Sequence, residues 1–167
     1  PVAFFREMVD SVLAQVYSNW ELILVNASPE DESLCVELAA ITDSRITVVT
    51  LESNLGIAEN TNAGLRLSSG DYVVFFDHDD TLDPFALLRY ANAICEDRAI
   101  DALYCDEDFL NESGEYVAPH FKSDFNLDLL RVHNYITHLL CVKSCYAKRL
   151  ELRREFDGAQ DYDFLLR

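Results

Sequence analysis

Basic residues are scarce in this chain. Thirteen lysines and arginines stand against thirty aspartates and glutamates in 167 residues, a formal charge of −17. A nucleic-acid backbone or an anionic lipid surface needs a basic face, so the balance argues against both as partners. Most of the acids read as solvated surface. Cysteine is used irregularly, at Cys35, Cys95, Cys105, Cys141 and Cys145, and no C-x-x-C pair exists, which argues against a zinc site. Four of these thiols sit in apolar stretches, which predicts buried, reduced cysteines and a cytoplasmic setting. No signal-peptide pattern is present, and no apolar run approaches the roughly 18 residues of a membrane span, so no secretion or spanning segment is expected of this chain. Low-complexity tracts, repeats and linkers are missing too, and 50% of the residues are hydrophobic. One domain over residues 1–167 is expected.

What is present is an alternation of helical and strand patterns. Residues 3–15 place Phe5, Met8, Val9, Val12 and Leu13 on one helical stripe. Glu21–Val25 reads as a strand, Ser28-Pro29-Glu30-Asp31-Glu32 as a helix start capped by Ser28, with the helix running to Ala40, and Arg45–Thr50 as a second strand. A turn at Asn54-Leu55-Gly56 leads into a helix ending near Leu67. Strand Asp71–Phe76, a helix from Asp83-Pro84 to Cys95 and strand Asp101–Cys105 follow. This order predicts a βαβ sheet through residue 105 and a less regular, more antiparallel second half. There, Phe109–Val117 reads as a hairpin around Asn111-Glu112-Ser113-Gly114, Asn126–Arg131 as a short helix, Tyr135–Val142 as a strand and Gln160 onward as a last helix.

The chemistry concentrates at Asp77-His78-Asp79-Asp80, three carboxylates directly after the apolar run Tyr72–Phe76. Such a run reads as a strand buried on both faces, and open α/β sheets place ligands at the carboxyl ends of strands. Like charges packed this closely call for a cation, and hard divalent ions prefer carboxylate oxygens. Two readings compete. Asp77-x-Asp79-x-Thr81-Leu82-Asp83 resembles the first motif of haloacid-dehalogenase-type phosphatases, in which Asp77 would be a nucleophile and Asp79 a general acid/base. Asp80 stands where that family usually has glycine.

The second reading takes in the whole chain. Matching stretches run from Phe4-Phe5-Arg6-Glu7-Met8-Val9-Asp10-Ser11 through Asn54-Leu55-Gly56, Asn62-Ala63-Gly64 and Gly70-Asp71-Tyr72 to the acid cluster. They continue through Tyr104-Cys105-Asp106-Glu107-Asp108, Pro119-His120-Phe121-Lys122, Asn134-Tyr135-Ile136-Thr137-His138 and Gly158-Ala159-Gln160-Asp161. In these the chain resembles the inverting family 2 glycosyltransferases of the GT-A fold, above all those of bacterial surface polysaccharides. The resemblance implies an α/β, Rossmann-like mixed sheet flanked by helices. It also implies sugar transfer from a UDP- or dTDP-sugar to a saccharide or lipid-linked acceptor, with Mn²⁺ or Mg²⁺ as cofactor. By the same resemblance Asp161 would be the catalytic base. Asn26, Asn54, Gly56, Asn62, Asp77 and Asp79 would face the nucleotide and donor, and Asp79, Asp77 and Asp80 the metal. Asp106, Glu107, Asp108, Lys122 and His138 are acceptor-side candidates.

Three departures from that family stand out. The first, central strand has no counterpart before Pro1, Asn26 replaces an acid at the end of the second strand, and a family histidine ligand would fall beyond Arg167. The resemblance therefore implies a piece of a longer protein, truncated at both ends, and leaves a non-catalytic nucleotide-binding module as a third reading.

Overall fold

A computed structural model describes residues 2–111 and 113–167. Pro1, and Glu112 of the expected hairpin turn, lie outside the described residues. The chain opens with helix α1, Val2–Leu13, which buries Phe5, Met8, Val9 and Val12 at the three- and four-residue spacing of one face; Leu13, expected on the same stripe, is exposed. Its carboxyl end grips a distant segment. The Ser11 hydroxyl accepts the Leu82 N–H at 3.1 Å, and the buried Gln15 amide donates to Asp83 O at 2.8 Å and accepts the Leu87 N–H at 3.1 Å. Buried side-chain amides require such partners, and here they fix the chain just downstream of the acid cluster.

Strands β1 (Leu22–Asn26) and β2 (Ile46–Thr50) pair in parallel, with Leu22 opposite Ile46, and helix α2 (Glu32–Ala40) joins them. The cap of α2 is Asp31, whose carboxylate accepts the Leu34 N–H, and not Ser28. Ser28 is spent on a turn instead: its N–H goes to Asn26 Oδ1 and its carbonyl accepts the Asp31 N–H. Helix α3 (Ile57–Leu67) starts behind Gly56 at φ +96°, a conformation that favours glycine, and the Asp157 carboxylate lies where a side chain would project. Asp157 also accepts the Ala58 N–H at 2.9 Å, capping α3 from the far end of the chain.

Strand β3 (Tyr72–Phe75), helix α4 (Ala86–Glu96) and strand β4 (Ala102–Tyr104) follow in the expected order. The sheet they form differs from a plain βαβ arrangement. Strand β7 (Leu140–Lys143) lies between β3 and β4, antiparallel to both, in the order β3-β7-β4. Its Leu140, Cys141 and Val142 are buried, so the most enclosed strand comes from the second half of the sequence. The strand expected over Tyr135–Val142 is confined to this end. Upstream of it, side chains rather than a neighbouring strand bond the carbonyls of Ile136, His138 and Leu139 and the N–H of His138.

No hydrogen bond joins β1 to β3. Their facing edges border a cleft of about 1330 Å³, lined by Leu24, Asn26, Val74 and Phe76 and by Met8 and Val12 of α1. The cleft leaves β3 half-buried and not enclosed on both faces. The remaining elements are a hairpin of β5 (Glu107–Leu110) and β6 (Tyr116–His120), short helix α5 (Leu127–Leu130), α6 (Ser144–Leu150), a 3-10 turn at Arg154–Phe156 and α7 (Gln160–Leu165). The thiols are less sheltered than expected: Cys141 is buried, whereas Cys95 and Cys145 are exposed on α4 and α6. Among the described residues no helix is long and apolar enough to cross a membrane.

Asn62 ties the two halves together. It is 1% exposed, and its amide donates to Leu152 O and accepts the Leu152 N–H, both at 2.8 Å. Asn62→Ala removes both bonds and strands two buried backbone groups, so the expected loss is about 2–3 kcal/mol of unfolding free energy in urea titrations.

Candidate active site

The register of two strands sets the site. Phe75 of β3 pairs with Leu140 of β7 in an antiparallel ladder. The ladder ends at that pair, and the two chains leave it side by side, so that Asp77 and His138, each two residues beyond its strand's end, come close. The Asp80 N–H turns back to Asp77 O at 3.4 Å, so these two acids come to one side of a tight turn. His138 Nδ1 lies 3.6 Å from Asp77 Oδ2 and 3.8 Å from Asp80 Oδ2. One donor atom from each of the three falls within 4.8 Å of the others, the spacing of a metal ligand set. Asp79 stands outside this group, beside His78, whose Nδ1 is 3.9 Å from its carboxylate. The D-x-D spacing thus picks Asp77 and Asp79, while the turn converges Asp77 and Asp80.

The other expected site residues divide. Asn26 is 4% exposed and bonds inward, to the Ser28 N–H and the Cys35 thiol, so its amide is held inside the protein. Asn62 is buried, and its amide is occupied by Leu152, as described above. Asn54 Oδ1 accepts from the Gly56 N–H and the Asn60 amide, and with Gly56 shapes the entry to α3. Asp106 accepts the Lys122 N–H at 2.7 Å. Asp108 is exposed on β5. Glu107 and Lys122 meet in an ion pair behind His138. Burial pushes the Glu107 carboxyl up, but hydrogen bonds from His120, the His138 N–H and Lys122 hold it below its usual range.

Asp161 lies in the first turn of α7, one residue inside the helix start. Phe164, three residues on and so on the same helix face, packs edge-on against Phe75 with ring centroids 5.3 Å apart. That contact turns the Asp161 face of α7 toward the strand that carries the acid cluster. The Asn134 amide donates to Asp161 Oδ2 at 3.4 Å, and Asn134 Oδ1 is buried with no partner among the described residues. Asp163 faces away, held by Arg153 and Arg167. His138, expected on the acceptor side, joins the acid cluster instead, and Asn134 and Asp157, to which the sequence alone assigns no role, are revealed by contacts with Asp161 and, across 99 residues, with Ala58.

Burial raises the Asp80 pKa, and the charges of Asp77, Asp79 and Glu107 raise it further against the opposing pull of His138. A carboxyl with a raised pKa binds its proton more tightly folded than unfolded, so it costs stability as pH rises through that range. Asp80→Asn is therefore expected to raise the thermal midpoint of the metal-free protein at pH 7, with the difference vanishing below about pH 4, where both states are protonated. A lower midpoint for the variant at pH 7 would contradict this electrostatic reading.

The profile of the family described as Glycosyl transferase family 2 matches residues 2–149. The O-antigen biosynthesis protein RfbC of Myxococcus xanthus is 42% identical over 99% of this chain and 13% of its own length. An uncharacterized protein of Sinorhizobium fredii, y4gI, is 39% identical over 99% of this chain and 18% of its own. The chain thus spans less than a fifth of either relative. The colanic acid biosynthesis glycosyl transferase WcaA of Escherichia coli, itself named as putative, is 30% identical over 95% of this chain and 59% of its own length. Among solved structures, residues 1–349 of TarS from S. aureus superpose with a TM-score of 0.72 at 20% identity, over 96% of this chain and 50% of that one. A mannosyltransferase of Pyrobaculum calidifontis, in complex with GDP-Man and Mn²⁺, superposes with a TM-score of 0.70 at 20% identity, over 98% and 47%. These two likenesses establish the fold.

Proposed function

The chain belongs to glycosyl transferase family 2, and on that premise we propose that it forms the donor and catalytic region of an inverting glycosyltransferase. The reaction moves a sugar from a nucleoside diphosphate to a saccharide or lipid-linked acceptor, in the synthesis of surface polysaccharide. The observation that carries this reading is the convergence of Asp77, Asp80 and His138 at the carboxyl end of β3. Two carboxylates and an imidazole suit Mn²⁺ better than Mg²⁺, which favours oxygen donors alone. When bound there, the ion supplies positive charge to the departing diphosphate. Asp79, at the solvent edge beside His78, is left for donor hydroxyls.

Inversion requires a base on the face of the sugar opposite the diphosphate. We assign that role to Asp161: its carboxylate takes the proton of the acceptor hydroxyl as oxygen attacks the anomeric carbon. Asn134 supports it, since the Asn134 amide donates to one Asp161 oxygen and so orients the carboxylate. The phosphatase reading loses its ground to the family match, and Asp77 is a ligand here and not a nucleophile. Two relatives are named for O-antigen and, as putative, for colanic acid biosynthesis, which supports a polysaccharide acceptor. A cytoplasmic setting fits the five free thiols.

Asp161→Asn is expected to lower kcat by about 10²–10⁴ while leaving Mn²⁺-dependent binding of UDP or dTDP intact by calorimetry. Turnover equal to the parent protein would remove Asp161 as the base. Phosphate release from a simple phosphomonoester, lost in Asp77→Asn, would return the phosphatase reading.

A further inference from the structure

The His138 backbone is held from both sides by a half-buried ion pair. Its N–H donates to Glu107 Oε2 at 2.8 Å, and its carbonyl accepts from the Lys122 ammonium at 2.5 Å. The same ammonium reaches Ile136 O at 3.1 Å and Glu107 Oε2 at 3.2 Å, which uses all three of its donors. The Lys122 side chain is only 1% exposed. A charge so enclosed persists only when paired and fully hydrogen-bonded, so this lysine is committed to the interior and unable to reach an acceptor in solvent. Glu107 is secured in turn through Oε1, which meets His120 Nδ1 at 2.8 Å, and Lys122 through its own N–H on Asp106. Both pair members come from one hairpin and its exit: Glu107 opens β5 and Lys122 lies two residues past β6. Residues 136–139 are outside β7, so no strand ladder fixes them. The ion pair takes the ladder's place.

We propose that Glu107 and Lys122 are positioning residues that clamp the His138 peptide groups and so aim its imidazole at Asp77 and Asp80. The inference rests on the reading of those three side chains as the metal site. It assigns Glu107 and Lys122 to ligand orientation and removes them from acceptor contact. The sign of one effect separates this role from simple charge. Lys122 is a cation near an acidic site, so acting through space alone it would repel a metal ion, and its loss would tighten binding. Acting by position, its loss weakens binding. Partners that orient a ligand without touching the metal typically account for about 10–100-fold in affinity.

The test measures Mn²⁺ affinity from the paramagnetic resonance of the free ion, and amide hydrogen exchange at His138 without metal, on the 167-residue chain. Lys122→Met and Glu107→Gln are each expected to weaken Mn²⁺ binding about tenfold or more and to speed exchange of the His138 amide. Lys122→Arg should recover part of the affinity. Lys122→Met added to His138→Ala should bind Mn²⁺ no more weakly than His138→Ala alone, because the clamp acts only through that ligand. Binding by Lys122→Met as tight as in the parent chain, unchanged exchange, or full additivity with His138→Ala would each overturn the proposal. If Lys122→Met fails to fold by circular dichroism, Glu107→Gln, which keeps the side-chain shape and an acceptor oxygen, is judged on exchange of the His138 amide and on non-additivity with His138→Ala, because loss of an anion weakens cation binding through space as well. If the parent chain binds no Mn²⁺, the metal reading falls, and the exchange measurement alone decides whether the pair holds His138.

Discussion

The pairing of β3 with β7 is the interaction on which the site depends. It joins a strand from the first half of the chain to one that begins 65 residues after β3 ends, and it does so in one register, Phe75 opposite Leu140. A slip by one residue would turn each strand's side chains to the opposite face and part Asp77 from His138. The register is held by burial of Leu140, Cys141 and Val142, and by Tyr90, whose hydroxyl donates to Leu139 O at 2.9 Å from α4. Packing of Phe164 on Phe75 then brings α7, and with it Asp161, against the same strand. The metal side and the proposed base thus share one support.

Against that rigid frame stands an electrostatic cost. Asp77, Asp79 and Asp80 crowd a single turn, and burial with mutual repulsion raises the Asp80 pKa. The fold tolerates this because the turn is tied down on both sides. Upstream lies the β3 ladder, and downstream Ser11 of α1 and Gln15 just past it hold Leu82, Asp83 and Leu87. On the far side, the Glu107–Lys122 pair fixes the histidine backbone. Such tethering fits a site whose missing charge is supplied by a ligand: the protein carries the strain of like charges and the bound cation relieves it.

Much of this was legible in the sequence because it is local. The stripe of α1, the acid cluster at a strand end, the α3 start behind Gly56 and the α7 start at Gln160 follow from spacing and residue type within a few positions. What was not legible is non-local. Nothing near Tyr135–Leu139 shows that its backbone is served by side chains rather than a strand, and nothing near Asp77 shows that Asp80 and His138, rather than Asp79, converge with it. Asn26 and Asn62 carry the residue type of a binding site, yet their partners lie in the interior, one of them 90 residues away. The cleft between β1 and β3 explains why β3 is only half-buried, which its apolar run does not reveal.

The central claim is that the cation is held by Asp77, Asp80 and His138 and not by the D-x-D pair. Its most direct test is the Mn²⁺ affinity of Asp79→Asn set beside that of His138→Ala. The account predicts near-parent binding for Asp79→Asn and a loss of about tenfold or more for His138→Ala. Lost binding in Asp79→Asn with full binding in His138→Ala would contradict it.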